Sequence, residues 1–306
     1  MLSPPNPAAQ AKAFGADTFR LAILMTCHNR RDTTLRCLAA LSAQEGLPPK
    51  FLMEIFLVDD GSTDDTGYAV RAGFPWVRVL QGDGNLYWTG GMRMAWIESA
   101  KSNPDAYLWL NDDTHLFSDA LIRFFHWHLQ FALRGQPGIL VGTICDPVDG
   151  HLTYGGRVCL SWREPFPKKC TYPGAEPIRC DTFNGNCVWV PRNVFQKIGI
   201  LGKKFTHGQA DFDYGFRATK LATSSWIIPG FYGVCSSNKL NRPWERPGLS
   251  WRERWRLISQ PNGLPPGGFM RLALRHGGWI GPFVAIAPYL KLFFSHLTGQ
   301  FNHKNQ

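Results

Sequence analysis

Between residues 19 and 133, four short apolar runs alternate with stretches of helical period, and this alternation constrains the fold more than any other feature of the chain. Phe19–Cys27, "FRLAILMTC", is aliphatic and of strand length. Asp32 is placed to cap a helix in which Leu35, Leu38 and Leu41 recur before Gln44. Glu54–Val58 reads as a second strand. Ser62 and Asp65 have the spacing of a capping box, with Asp in the usual Glu position, so the next helix is predicted over about 64–72. Val77–Leu80 is a third strand, "GDGNLYWTGG" a glycine-rich loop, and Met92–Lys101 a helix. Tyr107–Leu110 is the fourth strand, and Ser118 is placed to cap a helix through Leu133. Strands and helices alternating at this spacing imply right-handed crossovers and a mostly parallel sheet, hence an α/β fold.

Two of the strands end in acid. "DDGS" follows the second and "NDD" the fourth, which puts both at the carboxyl edge of the sheet, where open α/β sheets bind ligands. Adjacent carboxylates such as Asp112 and Asp113 repel each other and resist desolvation. A hard divalent cation, Mg²⁺ or Mn²⁺, removes the repulsion because it prefers carboxylate oxygen. A third cluster, Asp211 and Asp213 in "ADFDYGFR", opens a helical pattern. Each cluster alone is compatible with a solvated turn or an ordinary helix start. Three together point to a ligand site.

Beyond residue 140 the pattern loosens. "GILVGTICD", "CVWVPR" and "SSWIIPG" read as short strands, and "PRNVFQKIG" and "DFDYGFRATKLA" as helices. From residue 241 the chain becomes rich in Trp, Arg and Pro. Residues 1–18 read as a flexible tail without an apolar leader core.

With 306 residues, 44% of them apolar, the chain can bury a large core. A net charge of +10 favours an anionic partner: nucleic acid, an acidic membrane surface or a phosphorylated substrate. No nucleic-acid-binding module is recognisable, so nucleic acid is set aside. The eight cysteines include no C-x-x-C pair and read as buried thiols in a cytosolic protein. The run Gly277–Leu290 is uncharged, but it is expected to be too short and too proline-broken to span a bilayer.

Five segments in order resemble glycosyltransferase family two. "LMTCHNRRDT" is similar to its opening strand, and "FLVDDGSTDDT" to its nucleotide-binding motif. "GNLYWTGGMRMAW" is similar to its donor loop, "LWLNDDT" to its metal motif in an Asn-x-Asp variant, and "ADFDYGFRA" to its catalytic E-D-x-D-x-x-x-R segment. The resemblance covers residues 19 to about 235. It implies a GT-A fold over 19–240, with a nucleotide part to about 115 and an acceptor part after it; by its composition, 241–306 reads as a separate helical basic and aromatic segment.

The resemblance further implies transfer of a sugar from a nucleotide-diphosphate donor. Asp60 would meet the base, Asp112 the ribose and Asp113 the metal. Thr26 and Asn29 would line the nucleotide pocket, and Gly90, Gly91 and Arg93 would lie near the ribose and diphosphate. Asp211 would be the catalytic base with Asp213 its neighbour. Because Ala210 stands where the family has Glu, the choice between the two acids stays open. A His expected six residues after Pro229 is Cys235 here, and His207 and Asn238 are candidates to replace it. Trp88 and Trp189 are placed to stack on sugars, and Asn184 and Gly185 to line the acceptor side.

A single base and no dedicated nucleophile imply inversion at the anomeric carbon. The expected acceptor is a glycan or a lipid-linked glycan, in surface polysaccharide or glycolipid assembly. Two other readings compete: a nucleotidyltransferase of sugar phosphates, and a non-catalytic nucleotide- or carbohydrate-binding protein. The interleaved Arg and aromatic residues of 251–297 suit peripheral association with an anionic membrane.

Overall fold

The computed structural model describes residues 18–159, 166–167, 169–237 and 242–298. Of the expected tail only Thr18 falls within them, and Asn238 lies outside.

In chain order the first half runs β1 (Phe19–Cys27), α1 (Arg31–Ser42), β2 (Phe51–Asp59), α2 (Thr66–Gly73), β3 (Arg78–Gln81), α3 (Tyr87–Ala100), β4 (Ala106–Leu110), β5 (His115–Leu116), α4 (Ala120–Leu133) and β6 (Ile139–Cys145). Short strands follow: β7 (Leu152–Tyr154), β8 (Gly156–Arg157), β9 (Ile178–Cys180) and β10 (Thr182–Phe183). Then come β11 (Cys187–Pro191), α5 (Arg192–Ile198), α6 (Ala210–Lys220) and β12 (Ser225–Val234). The chain closes with α7 (Trp251–Ile258), α8 (Pro266–His276) and α9 (Gly281–Thr298).

Leu21 to Met25 of β1 are wholly buried, as a central strand covered on both faces requires. β1 lies between β2 and β4 and is parallel to both. Alternate side chains feed two cores. Leu21, Ile23 and Met25 pack toward Leu38 of α1 and Phe124 of α4. Ala22 and Leu24 pack with Met92 and Trp96 of α3 and Tyr214 of α6. The sheet order is β3-β2-β1-β4-β11-β6-β12-β5. The chain moves outward from β1 to β3 and then returns to β4 on the other side of β1. Strand order therefore reverses between β1 and β4, the switch point at which such sheets bind ligands. The fold is of the expected α/β class, with a mixed, mostly parallel sheet flanked by helices.

Several local expectations are corrected. Asp32 lies inside the first turn of α1, and Arg30 occupies the cap position without a side-chain cap bond. The Ser62–Asp65 capping box does not form: Ser62 Oγ accepts from the Asn29 N–H at 2.9 Å, and α2 begins only at Thr66. Ser118 is not the cap of α4; Asp119 holds that position and its side chain makes no cap bond. The largest change is at α3. Tyr87 to Gly91 are helical rather than loop, because Asp60, just after β2, organises their start.

The C-terminal region is helical. Ser250 and Glu253 form a reciprocal capping box at α7. Helix α9 buries Ala285 and Leu292, and Tyr289 Oη donates to the Leu264 carbonyl at 3.1 Å. The expectation that this stretch is too short to span is corrected as well. The helix passes through Pro288 to Thr298, and Gly278–Thr298 is long and apolar enough to cross a membrane by length and composition. All eight cysteines are free thiols.

Candidate active site

A cavity of about 620 Å³ opens at the switch point. The end of β1 brings Thr26, His28 and Arg30 to it, and the loop after β4 brings Asn111, Asp112 and Asp113. The approach to β11 adds Gly185, the start of α6 adds Asp211, and the α7–α8 loop adds Asn262.

Asp60 is 3% exposed and its carboxylate accepts three backbone N–H groups. Oδ1 takes Gly84 at 2.9 Å and Leu86 at 3.3 Å, and Oδ2 takes Tyr87 at 2.8 Å. An acid aimed at the free N–H groups of a helix start satisfies them and complements the helix dipole. Asp60 thus sets where α3 begins and places Tyr87 and Trp88 in the cavity wall. α3 also lies directly on β1. A Cβ added at Gly91 would stand 2.2 Å from Thr26 Oγ1, so only glycine permits that approach.

The acid pair is held by Arg30. Its guanidinium lies 2.7 Å from Asp113 Oδ2 and 3.4 Å from Asp112 Oδ1. Thr34 Oγ1 donates to Asp112 Oδ2 at 3.3 Å. Burial pushes the Asp112 carboxyl up to about 7, against the pull of Arg30 and with the help of the Asp113 charge. Burial opposes the charge on Arg30, but Asp112 and Asp113 outweigh it and raise its pKa. Asp113 Oδ1 is buried and has no hydrogen-bond partner. An orphaned carboxylate oxygen beside a second carboxylate is the donor set a hard divalent cation takes. Cys235, following β12, lies close enough for the Asp113 charge to add to burial in pushing its thiol up to about 12. Asp146, Asp149 and His151 also bring ligand atoms within 4.8 Å of one another, but they sit between β6 and β7 outside the cavity.

Across the cavity, Asp211 stands in the first turn of α6. Its Oδ2 accepts from Gly185 N at 3.0 Å and its Oδ1 from Phe212 N at 2.9 Å. Burial raises its carboxyl above the ordinary range, with the two N–H bonds opposing. Gly185 is pressed under Trp88, and a Cβ there would stand 2.5 Å from the indole. Trp88 Nε1 in turn donates to Asn111 Oδ1 at 2.8 Å. A continuous set of contacts thus runs from the loop of the acid pair, through Trp88, to Asp211.

Asp213 is elsewhere. Residues two apart on a helix face different ways, and Asp213 is fully buried away from the cavity. Arg217 Nε reaches its Oδ2 at 2.9 Å, while Arg275 Nη1 at 3.0 Å and His276 Nε2 at 2.9 Å reach its Oδ1. Burial alone would raise this carboxyl, but the His276 hydrogen bond and the Arg217 and Arg275 charges hold it below the usual range.

Other expected site residues are also placed outside the cavity lining. Asn29 has φ 51° and accepts from Thr63 N at 2.7 Å, tying the loop after β1 to the loop after β2. Asn184 Oδ1 accepts from Arg157 Nη2 at 3.1 Å. Arg93 donates to the Leu201 carbonyl. Gly90 packs on Leu86. Trp189 is fully buried, stacked on Phe124 and Phe19, and belongs to the core. Thr26, Asp60, Trp88, Asp112, Asp113, Gly185 and Asp211 do line the cavity. So does His207, which stands edge-on to Tyr87. Arg30, which holds both acids, carries one signal in the sequence: a basic residue three positions after the first strand.

Residues 22–133, from β1 to the end of α4, match the model of glycosyl transferase family 2. That segment is similar to the family, and the chain has the GT-A type of fold. S. aureus TarS is similar in structure, with a TM-score of 0.56 at 12% identity over 94% of this chain. The chain spans 46% of the TarS length. The mannosyltransferase PcManGT from Pyrobaculum calidifontis, solved in complex with GDP-Man and Mn²⁺, is similar with a TM-score of 0.51 at 16% identity. That likeness covers 94% of this chain and 82% of PcManGT. No curated protein matches in sequence. The family 2 segment holds Asp60 and the acid pair, whereas Asp211 lies in the part beyond it.

Proposed function

We propose that this glycosyltransferase moves a sugar from a nucleotide-diphosphate donor to an acceptor hydroxyl with inversion. The observation that carries the reading is one cavity lined both by Asp113, with its orphaned oxygen, and by Asp211. Thr26, Asp60 and Asp112 form the nucleoside side. Asp60 acts there through the start of α3 as well as through its own oxygens. Asp113, with Asp112, would hold Mg²⁺ or Mn²⁺, which supplies neutralisation of the charge that develops on the leaving diphosphate. The PcManGT complex with GDP-Man and Mn²⁺ supports this assignment.

Asp211 is the general base. A sugar hydroxyl is a poor nucleophile at neutral pH, and a carboxylate within hydrogen-bond reach takes its proton as the new bond forms. Burial suits the task, because it raises the proton affinity of Asp211 toward the working pH. The Gly185 and Phe212 N–H groups orient its two oxygens. Trp88 offers the sugar an aromatic edge beside Gly185. Asp213 is a positioning residue that anchors α6. Gly91 acts by letting α3 approach β1.

The acceptor is a glycan or lipid-linked glycan of surface polysaccharide or glycolipid assembly, and the enzyme works on the cytoplasmic side of the membrane. A panel of nucleotide sugars with Mn²⁺ tests the reaction. Release of free sugar and nucleoside diphosphate, lost in Asp211→Asn, is the expected result. Conversion of the nucleotide sugar to nucleoside triphosphate and sugar phosphate on addition of pyrophosphate would mean nucleotidyl transfer instead, and no turnover of any donor would leave a binding protein.

A further inference from the structure

Helix α9 has two faces of opposite character. Ala285 and Leu292 are buried, and Tyr289 is tied to the α7–α8 loop through Leu264. The other face is exposed. Phe283, Ile286, Leu290, Phe294 and Leu297 follow one another at spacings of three and four, and each is 46–73% exposed. Residues at such spacings line one side of a helix. An 18-residue helix is about 27 Å long, so this is an apolar strip along its whole length.

We infer that this strip is a docking surface for an anionic lipid bilayer, lying in the plane of the interface rather than crossing it. Charge argues for lipid. Residues 242–298 hold two acids, Glu245 and Glu253, against eight Arg and Lys. Lys291 on α9, Arg252 and Arg256 on α7, and Arg271 on α8 are exposed on the elements that border the strip. A second copy pressed on the strip would bring these like charges together, whereas acidic headgroups neutralise them. Packing argues against a span. α9 rests on α8 and α7, and a crossing would either strip it from them or carry their arginines into hydrocarbon. Aromatic side chains on the apolar face and basic ones beside it are the composition of an in-plane helix.

The surface is coupled to the cavity by covalent and packing neighbours. α8 packs between α9 and α6, and its Arg275 and His276 brace Asp213, two residues from Asp211. The α7–α8 loop supplies Asn262 to the cavity wall. Docking through α9 therefore holds the acceptor-side helix at the bilayer surface.

The test is sedimentation of the purified full chain with phosphatidylcholine vesicles, with and without phosphatidylglycerol, at low and high salt. The wild type is expected to co-sediment with anionic vesicles, less so at high salt. Phe283→Glu combined with Phe294→Glu should weaken binding about tenfold or more, because each lost aromatic contact is worth at least that factor. Both positions are exposed, so unchanged circular dichroism and melting temperature check that the fold persists. Wild-type protein that ignores every vesicle overturns the inference, as does a double variant that binds like the wild type. Dimers that the double substitution dissociates, without vesicle binding, assign the strip to a second copy instead. Extraction only by detergent, at any salt, would mean insertion rather than docking. Vesicle binding is read without turnover, so it stands or falls apart from the transfer reaction.

Discussion

Arg30 donates to Asp113 Oδ2 at 2.7 Å and lies 3.4 Å from Asp112 Oδ1, so one guanidinium occupies the space between two carboxylates that a divalent cation would claim. The contact explains how adjacent acids persist at the end of a buried strand. It also makes arginine and cation competitors. Arg30→Gln is expected to melt at lower temperature than wild type without metal, since the acids lose their counter-charge. Added Mn²⁺ should then raise its melting temperature by more than it raises that of wild type, because a ligand stabilises in proportion to its binding. Thermal melts across a Mn²⁺ series check this; equal shifts in the two proteins would show that Arg30 and cation do not compete.

Asp113→Ala is expected to abolish Mn²⁺-dependent nucleotide binding while the fold persists, since the orphaned oxygen goes and Arg30 keeps Asp112 as a partner. Calorimetric titration of a nucleoside diphosphate with and without Mn²⁺ measures it. Retained metal dependence would place the cation elsewhere.

Asp211→Asn should keep donor binding near wild type and lower turnover by about 10² or more, the usual cost of losing a general base. The same substitution carries a stability signature. The folded-state pKa of Asp211 is raised by burial, so its contribution is complete below the unfolded pKa and is lost as pH rises through the folded one. The stability of Asp211→Asn relative to wild type should therefore climb with pH above the ordinary Asp range. Urea melts at several pH values read this, and a pH-independent difference would contradict a raised pKa.

Asp213→Ala is expected to destabilise the protein by about 3 kcal/mol, the low end for breaking a buried ion pair because Arg275 is half exposed. Here the folded pKa is depressed, so the contribution is present above the unfolded pKa and is lost as pH falls through the folded one. The difference from wild type should shrink in acid. If instead Asp213→Asn folds like wild type and fails only in turnover, Asp213 is the base and Asp211 is not.

The alternation of strand and helix over residues 19–133 was legible because periodicity is a local property: each run carries its own pattern of apolar residues. The placing of "DDGS" and "NDD" at one sheet edge followed from parallel crossovers alone, and the cavity lies there. What tertiary structure decided are the roles that depend on partners distant in the chain. Helix α3 begins at Tyr87 because Asp60, 27 residues earlier, meets its free N–H groups. Trp189, expected to stack on a sugar, is core because strand pairing buries it beside Phe19 and Phe124. Asp211 and Asp213 are alike in sequence. Arg275 and His276, 62 and 63 residues downstream of Asp213, bind that acid and leave Asp211 to the cavity. A carboxylate's chemistry is set by the charges and N–H groups around it, and the fold brings those from elsewhere in the chain.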